Sequence, residues 1–344
     1  MQFIKPDVNI NFIGKKTIAF ALSGALILIT IVSLILHGGP KYGIDFAGGT
    51  LIQAKFSSST RISDIKSALS KMDINISSVQ QFGDRKDFEF LIRADISSEI
   101  TEDLSMKIEQ ILEAATGNKS EIRRVEMVGP QVGKDLREKA LLAMFFALLF
   151  ITIYISGRFE LKWFKSGVMA GGLMLSVYVL NLFNVSIPFL MAGALVVTLI
   201  LFWVLELKYA MGAIVALIHD VTITVGIFSI FDKEFTLPII AALLTIIGYS
   251  LNDTIIVFDR IRENLRKYHK QRLDFILNKS VNETLSRTIL TSLTTLIVLI
   301  ALFILGGGII HDFAFAMIIG IIIGTYSSIF VASPILLAWH KGLK

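Results

Sequence analysis

The sequence predicts a polytopic α-helical membrane protein that carries one folded polar domain. The chain has 344 residues, of which 54% are hydrophobic and 18% are charged, whereas soluble domains contain about 25% charged residues. Eight segments are apolar and long enough to cross a bilayer, which takes roughly 20 residues. Only residues 38–138 form a polar segment long enough to fold as a domain.

The predicted transmembrane helices follow from the uninterrupted apolar runs. They cover residues 17–37, 139–157, 166–183, 187–205, 209–230, 237–257, 284–305 and 313–338. The first run exceeds the roughly 7–15 residues of a signal-peptide core and has no small-residue cleavage site just after it, so we expect an uncleaved span. The domain plan is therefore an N-terminal segment 1–16, helix 17–37, domain 38–138, a seven-helix bundle 139–340 and a tail 341–344.

The basic residues predict the orientation of the spans. The short loops on one side of the membrane hold most of the lysines and arginines, and such loops stay in the cytoplasm. We therefore expect cytoplasmic termini and an extracytoplasmic, periplasmic domain. The net charge of +5 is explained by this asymmetry and does not indicate nucleic-acid binding. A basic run in the predicted inner loop 258–287 either contacts anionic lipid or a partner, or only anchors the topology.

The polar segment predicts an α+β domain. GIDFAGGTLIQAKF has a turn-rich start that leads into an alternating strand, and NISSVQQFG, FEFLIRA and SEIRRVEMVGP are also typical of strands. The segments RISDIKSALSKM and ITEDLSMKIEQILEAATG have the apolar spacing of helices. The resulting order β-α-β-β-α-β is the split βαβ pattern of ferredoxin-like domains.

A weak internal repeat marks one part of the bundle. The residues Glu160-Leu161-Lys162-Trp163 recur as Glu206-Leu207-Lys208-Tyr209, and each copy precedes an apolar helical hairpin. Residues 166–205 contain no ionisable side chain. We interpret residues 163–208 as a duplicated hairpin that cannot carry charge chemistry, and we expect it to pack at the periphery and face lipid.

Ionisable groups inside two adjacent spans predict the functional site. A charged group within a span costs about 2.5–3.5 kcal/mol or more, so it marks a site with a nearby partner. Asp253 shares a polar stripe with Tyr249 and Asn252, and Arg287 is followed one turn later by Thr291. Because Asp253 and Arg287 lie on the same side of adjacent spans, they could meet and control a proton. Alternatively, Asp253 reaches water at the inner face and Arg287 extends from its helix end.

A second carboxyl lies deeper in the bundle. Asp220 follows His219 near the middle of its predicted span. One interpretation is a protonatable or ion-pairing group that belongs to the proton relay. The other is a carboxyl that is kept neutral and only holds neighbouring helices together.

Several site classes are excluded or not indicated. The chain has no cysteine, which excludes disulfides and cysteine-ligated metals. Its five histidines form no metal-binding pattern, and the glycine-rich stretches GGT and GGG belong to no phosphate-binding motif. We predict no cofactor, no metal and no enzymatic activity.

The longer motifs resemble those of one known family. GIDFAGGT (43–50), VGPQVGKDL (128–136), ALIHDV (216–221), IIGYSLNDTIIVFDRIRENLRK (246–267), LSRTILTSLTT (285–295) and GTYSSIFVASP (324–334) are similar to motifs of the SecF family of protein-export subunits.

The resemblance implies a partner, SecD, association with the SecYEG channel and a translocating precursor polypeptide. It also implies a place in the inner membrane, in contact with its lipid, use of the proton-motive force, and kinship with RND transporters. The family's proton-relay residues fall on Asp253 and Arg287, and its His-Asp motif on His219 and Asp220. The motif at the start of the domain includes Gly43, Asp45, Gly48 and Gly49. Members of the family usually have six spans, so residues 163–208 are an addition.

Two other functions are consistent with these residues. A stand-alone proton-coupled RND-like transporter of small molecules would also need charges inside the membrane. A purely structural subunit would tolerate neutralisation of those charges.

Overall fold

The computed structural model describes residues 8–70, 75–82, 86–95, 102–160, 163–182 and 187–342. The predicted terminal segments 1–16 and 341–344, and the link inside the predicted hairpin, lie partly outside these described residues. The described residues form a helical bundle and a polar domain that contacts one end of it. We call that end of the bundle the domain side and the opposite end the far side.

The N-terminal part of the chain contains one membrane helix and the domain. A 3-10 turn (Ile13–Lys15) leads into α1 (Lys16–Leu36). The domain follows with α2 (Ile44–Ala47), β1 (Gly49–Phe56), α3 (Ile62–Ser70), β2 (Asn75–Phe82), β3 (Glu89–Asp95), α4 (Glu102–Thr116) and β4 (Ser120–Val128).

The domain is a four-stranded antiparallel sheet covered by two helices. The strand order is β2-β3-β1-β4, and Ile52 of β1 lies opposite Ile92 of β3 and Val125 of β4. Alternate residues of β1 are buried because successive side chains of a strand point to opposite faces. Buried residues of α3 and α4, including Leu69 and Leu112, complete this core.

The remaining helices form the bundle. They are α5 (Pro130–Glu160), α6 (Trp163–Leu182), α7 (Ile187–Leu205), α8 (Lys208–Ile230), α9 (Leu237–Lys267), α10 (Leu273–Leu305), α11 (Gly308–Ser327), a π-helical turn (Ser328–Ala332) and α12 (Ser333–Gly342). Within the described residues, six segments are long and apolar enough to cross a membrane: α1 with its 3-10 turn, α5, α8, α9, α10, and α11 with most of α12.

The prediction of an inner loop over residues 258–287 is wrong, because most of this segment is helical. Helix α9 continues to Lys267 and α10 starts at Leu273, which leaves a short turn between them. The extensions pack together through Ile261 and Leu277, which are buried. Asn264 Nδ2 also donates to Ser280 Oγ (3.0 Å) and Glu283 Oε2 (2.7 Å). These contacts stabilise a helical hairpin that extends past the predicted spans.

Glycine determines how closely two central helices approach. A Cβ at Gly320 of α11 would lie 2.3 Å from the Ile246 side chain of α9, so only glycine allows this packing. In contrast, Gly248 of α9 is exposed and a Cβ there would meet nothing within 4 Å. One face of α9 is therefore tightly packed and another is uncovered.

Helices α6 and α7 lie beside α5 and α8. Lys165 Nζ donates to the Leu205 carbonyl oxygen at 3.0 Å, which joins the start of α6 to the end of α7. Large apolar side chains on both helices are exposed, with Phe164 at 85% and Phe189 at 74%. The exposed side chains leave one side of this helical pair uncovered within the described residues.

Candidate functional site

Asp253 is a buried carboxyl with one unpartnered oxygen within the described part of the chain. The α-helix α9 places it on the face that packs into the bundle, and it is 1% exposed. Its Oδ2 atom has no hydrogen-bond partner among the described residues. Buried polar groups are nearly always paired, because burying one without a partner is costly. Asp253 is therefore an exception to this rule among the described residues.

Arg287 lies on the neighbouring helix α10, and it is exposed. No ion pair within the described part of the chain joins Arg287 to Asp253, although Arg287 is near enough to act on that carboxyl electrostatically. Helices α9 and α10 pack against each other. The structure therefore places the two predicted relay residues on adjacent helices in an unpaired arrangement.

The polar side chains around this pair have different environments. Thr291 Oγ1 donates back to the carbonyl oxygens of Arg287 (3.1 Å) and Thr288 (2.9 Å), so its hydroxyl is satisfied within α10. Tyr249 Oη donates to Thr295 Oγ1 at 3.4 Å and bridges α9 to α10. Asn252 is exposed. Thr288 Oγ1 is buried without a described partner, like Asp253 Oδ2.

Asp220 is fully satisfied, in contrast to Asp253. It is 0% exposed, and its Oδ1 lies 2.9 Å from His219 Nδ1. Ser250 Oγ of α9 and Ser327 Oγ of α11 both donate to Oδ2, at 2.5 Å and 2.7 Å. The carboxyl thus joins three helices, α8, α9 and α11, at one point.

The hydrogen-bonded chain continues from His219 to α1. His219 Nε2 lies 3.0 Å from Ser23 Oγ, which lies 3.1 Å from Tyr326 Oη. Tyr326 Oη donates to the Ala19 carbonyl oxygen at 2.7 Å. A π-helical turn begins just after Ser327. Such turns are frequent at functional sites, and this one follows the two residues by which α11 joins the network.

The motif at the start of the domain attaches the domain to α9. Asp45 Oδ2 accepts the Leu237 backbone N–H at 2.8 Å and so caps the first turn of α9. Gly43 N donates to the Phe235 carbonyl oxygen at 2.7 Å. Gly48 and Gly49 have φ values of +78° and +111°, which favour glycine. The predicted motif residues therefore have a structural task at the domain side of the helix that carries Asp253.

An ion pair between the domain and the bundle was not predicted. Arg93 of β3 donates through Nη2 to Glu234 Oε2, in the turn between α8 and α9, and through Nη1 to the Tyr42 carbonyl oxygen at 3.1 Å. A second contact lies at the turn before α11, where the Phe82 ring occupies the space that a Cβ at Gly308 would need. The strand β3 and the end of β2 thus touch two turns on the domain side.

Sequence reasoning missed the partners of the ionisable groups. Ser23 is one hydroxyl in an apolar span, and Arg93 and Glu234 lie in polar segments where charge is ordinary. The spacing of Ser250 was the one available signal, because a residue one helical turn before Asp253 lies on the same face of the helix. Within the described residues, no group of three or more histidine, aspartate and glutamate side chains could hold a metal ion.

Comparison with known families decides what kind of protein has this arrangement. The family "Protein export membrane protein SecD/SecF, C-terminal" matches residues 107–187 and 180–342, and the "SecD/SecF GG Motif" matches residues 33–60. The chain belongs to the SecD/SecF family of protein export membrane proteins. The resemblance inferred from the motifs is confirmed.

Individual relatives agree over nearly the whole length. The chain is 41% identical over 337 residues to the protein translocase subunit SecF of Calditerrivibrio nitroreducens, covering 97% of this chain and 95% of the relative. It is 42% identical over 346 residues to SecF of Magnetococcus marinus, covering 99% and 96%. Both relatives are named as subunits of a protein translocase, and these names describe a role in transport.

The chain is also similar to two crystal structures of SecDF. One is a translocon-associated membrane protein from Thermus thermophilus, with a TM-score of 0.72 and 29% identity over 98% of this chain. The other is a super-membrane-facing form of SecDF, with a TM-score of 0.57 and 29% identity. This chain spans 40% of the length of each SecDF chain.

Proposed function

We propose that this chain is an accessory subunit of the Sec protein translocase that acts with SecD to drive late steps of protein export with the proton-motive force. The observation that carries the proposal is Asp253, a buried carboxyl whose Oδ2 has no partner among the described residues and which lies within electrostatic reach of Arg287. Binding and release of a proton at such a site can change how two helices attract each other. One charge crossing 100 mV releases about 2.3 kcal/mol, enough to bias such a change.

The uncovered face of α9 and α10 supports a membrane partner. In its most apolar stretch, α10 has only 17% of its residues buried, whereas α8 has 61%. The exposed residues on this face include polar ones: Thr245, Asn252, Arg287 and Thr294. Polar groups facing lipid are costly, so we propose that SecD covers this face and contributes a carboxyl to the relay. The SecYEG channel, the precursor polypeptide and membrane lipid are the other partners in this proposal.

The contacts at the start of α9 support a route from the relay to the domain. Asp45 caps α9 at Leu237, and Arg93 binds Glu234 just before this helix. A shift of α9 caused by a change at Asp253 would move these contacts directly. We propose that the domain moves with α9 and acts on the emerging polypeptide.

We also propose eight spans, with both termini in the cytoplasm and a ferredoxin-like domain in the periplasm. The sheet order β2-β3-β1-β4 with antiparallel neighbours supports the domain type. In this proposal the apolar helices α6 and α7 are the two added spans. The two matched family ranges overlap at residues 180–187, inside the added segment. A cysteine introduced at Asn184 of this cysteine-free chain should react with impermeant reagents from outside, and protection there would contradict eight spans.

Export of a precursor into energised membrane vesicles tests the function. Asp253→Asn and Arg287→Met should remove the gradient-dependent part of export while the complex still assembles. Asp259→Asn and Arg266→Met are matched controls, because these side chains are on the same helix α9 near the far side, where Asp259 is 45% exposed. Unchanged export in the first two variants would instead support a purely structural subunit.

A further inference from the structure

We propose that His219 and Asp220 hold one proton between them throughout the transport cycle, and that this pair positions α9 without exchanging protons. The inference rests on the proposed proton-driven function. It gives the two membrane carboxyls different tasks: Asp253 exchanges a proton, and Asp220 keeps one. Asp220 is then a positioning residue.

The direction of the hydrogen-bonded chain follows from its end at α1. A backbone carbonyl can only accept, so the single phenolic proton of Tyr326 points to Ala19 O, at 2.7 Å. Ser23 must then donate its own proton to Tyr326 Oη, at 3.1 Å. Ser23 has no second proton for His219, so His219 Nε2 must carry a proton and donate it to Ser23 Oγ, at 3.0 Å.

This direction determines what lies between His219 and Asp220. In a neutral imidazole only one ring nitrogen carries a proton, so Nδ1 would present a lone pair to Asp220 Oδ1 at 2.9 Å. Two lone pairs at that distance repel, so a proton must lie between the two atoms. The pair is either imidazolium with carboxylate or imidazole with carboxylic acid, and its net charge is zero in both forms.

The surroundings favour retention of that proton. His219 is 4% exposed and Asp220 is 0% exposed. The other carboxyl oxygen is occupied by hydroxyl donors from α9 and α11. The titratable side chains that face the pair in the described part of the chain are its own two members and Tyr326, which stacks on the His219 ring. Loss of the proton would leave a net negative charge inside the membrane, and no described cation contacts it.

The retained proton has a structural consequence for the relay. Asp220 accepts from Ser250, which lies one turn before Asp253 on the same buried face of α9. The carboxyl therefore fixes the rotation of α9 against α8 and α11 close to the point where Asp253 must meet its partner. We infer that the shared proton keeps this contact constant while Asp253 changes its protonation.

Asp220→Asn separates retention from exchange. The asparagine oxygen can accept from Ser250 and Ser327, and its amide can donate to His219 Nδ1, so every contact of the protonated carboxyl is kept. Asparagine cannot release a proton. In the vesicle assay this variant should retain most of the gradient-dependent export, whereas Asp220→Leu, which has no acceptor for these donors, should lose it. Loss in Asp220→Asn as complete as in Asp253→Asn would overturn the inference.

A spectroscopic measurement tests the proton directly in the wild-type complex. With ¹⁵N-labelled histidine, we expect the His219 Nε2 resonance of a protonated nitrogen, both in the wild type and in Asp220→Asn. An unprotonated Nε2 in the wild type would contradict the derived direction, even if the variant failed to assemble. The proposed function fails separately, through unchanged export in Asp253→Asn.

Discussion

The ion pair between Arg93 and Glu234 should dominate the attachment of the domain to the bundle. The two side chains are only 12% and 19% exposed, so water cannot readily replace either partner. Arg93 retains one other acceptor, the Tyr42 carbonyl oxygen, and its Nε is buried without a described partner. Glu234→Gln therefore leaves a largely buried guanidinium without an anion.

The expected cost follows from the energetics of charged hydrogen bonds. A hydrogen bond to a charged group contributes about 1.5–3 kcal/mol, and a neutral one about 1 kcal/mol. Because the pair is largely buried, we expect Glu234→Gln to weaken docking of the domain by about 2 kcal/mol, or roughly 30-fold in the docking equilibrium. Arg93→Met should have a similar effect. The double variant should cost less than the sum, since it leaves no unpaired buried charge.

Hydrogen exchange of the membrane-embedded protein measures this equilibrium. The Gly43 and Phe235 amides donate across the contact, to Phe235 O and Lys41 O at 2.7 Å each. Their exchange should accelerate roughly 30-fold in Glu234→Gln, because undocking exposes them.

Asp232→Asn is the matched control for this measurement. Its partner is Lys41 at 2.7 Å, in a pair that is 32% and 66% exposed, and exposed pairs contribute about 0–1 kcal/mol. Exchange in the control should therefore change little. Equal exchange in Glu234→Gln and the control, or strict additivity in the double variant, would refute the reasoning.

Two further predictions concern α9. Asp45→Ala removes the acceptor for the Leu237 N–H and should cost about 1 kcal/mol at this helix start. Asp45→Asn should cost less, because asparagine also caps helices. Hydrogen exchange of the Leu237 amide measures both effects, and equal exchange in the wild type and Asp45→Ala would exclude the cap. Gly320→Val should destabilise the isolated chain, because the added side chain would force Ile246 away. Gly248→Val should leave the melting temperature of the chain unchanged but reduce its co-purification with the partner, because we propose that a helix of the partner covers this exposed face. Normal co-purification of Gly248→Val would contradict the proposed interface.

The sequence by itself determined the class of the protein and the position of its unusual charges. Apolar runs of membrane length and alternating strands depend on local periodicity, which can be read without tertiary contacts. The same holds for Asp253 and Arg287, because an ionisable residue in an apolar run is visible as a violation of that pattern. The repeat at residues 160–163 and 206–209 likewise located two helices.

The tertiary structure decided where the helices end and which charges have partners. The sequence pattern predicts a loop over residues 258–287 because polar residues break the apolar run. Most of the segment is nevertheless helical, because Ile261 is buried and Asn264 makes hydrogen bonds to α10. Helix ends outside the membrane depend on such packing between residues distant in sequence.

Asp220 and Asp253 illustrate the same limit at the functional site. Both are single aspartates in apolar spans, so sequence pattern treats them alike. Contacts from α8, α9 and α11 satisfy Asp220, whereas Asp253 Oδ2 receives none among the described residues. Hydrogen-bond partners come from helices that meet only when the bundle folds, and that is why the different environments of the two carboxyls could not be assigned from the sequence.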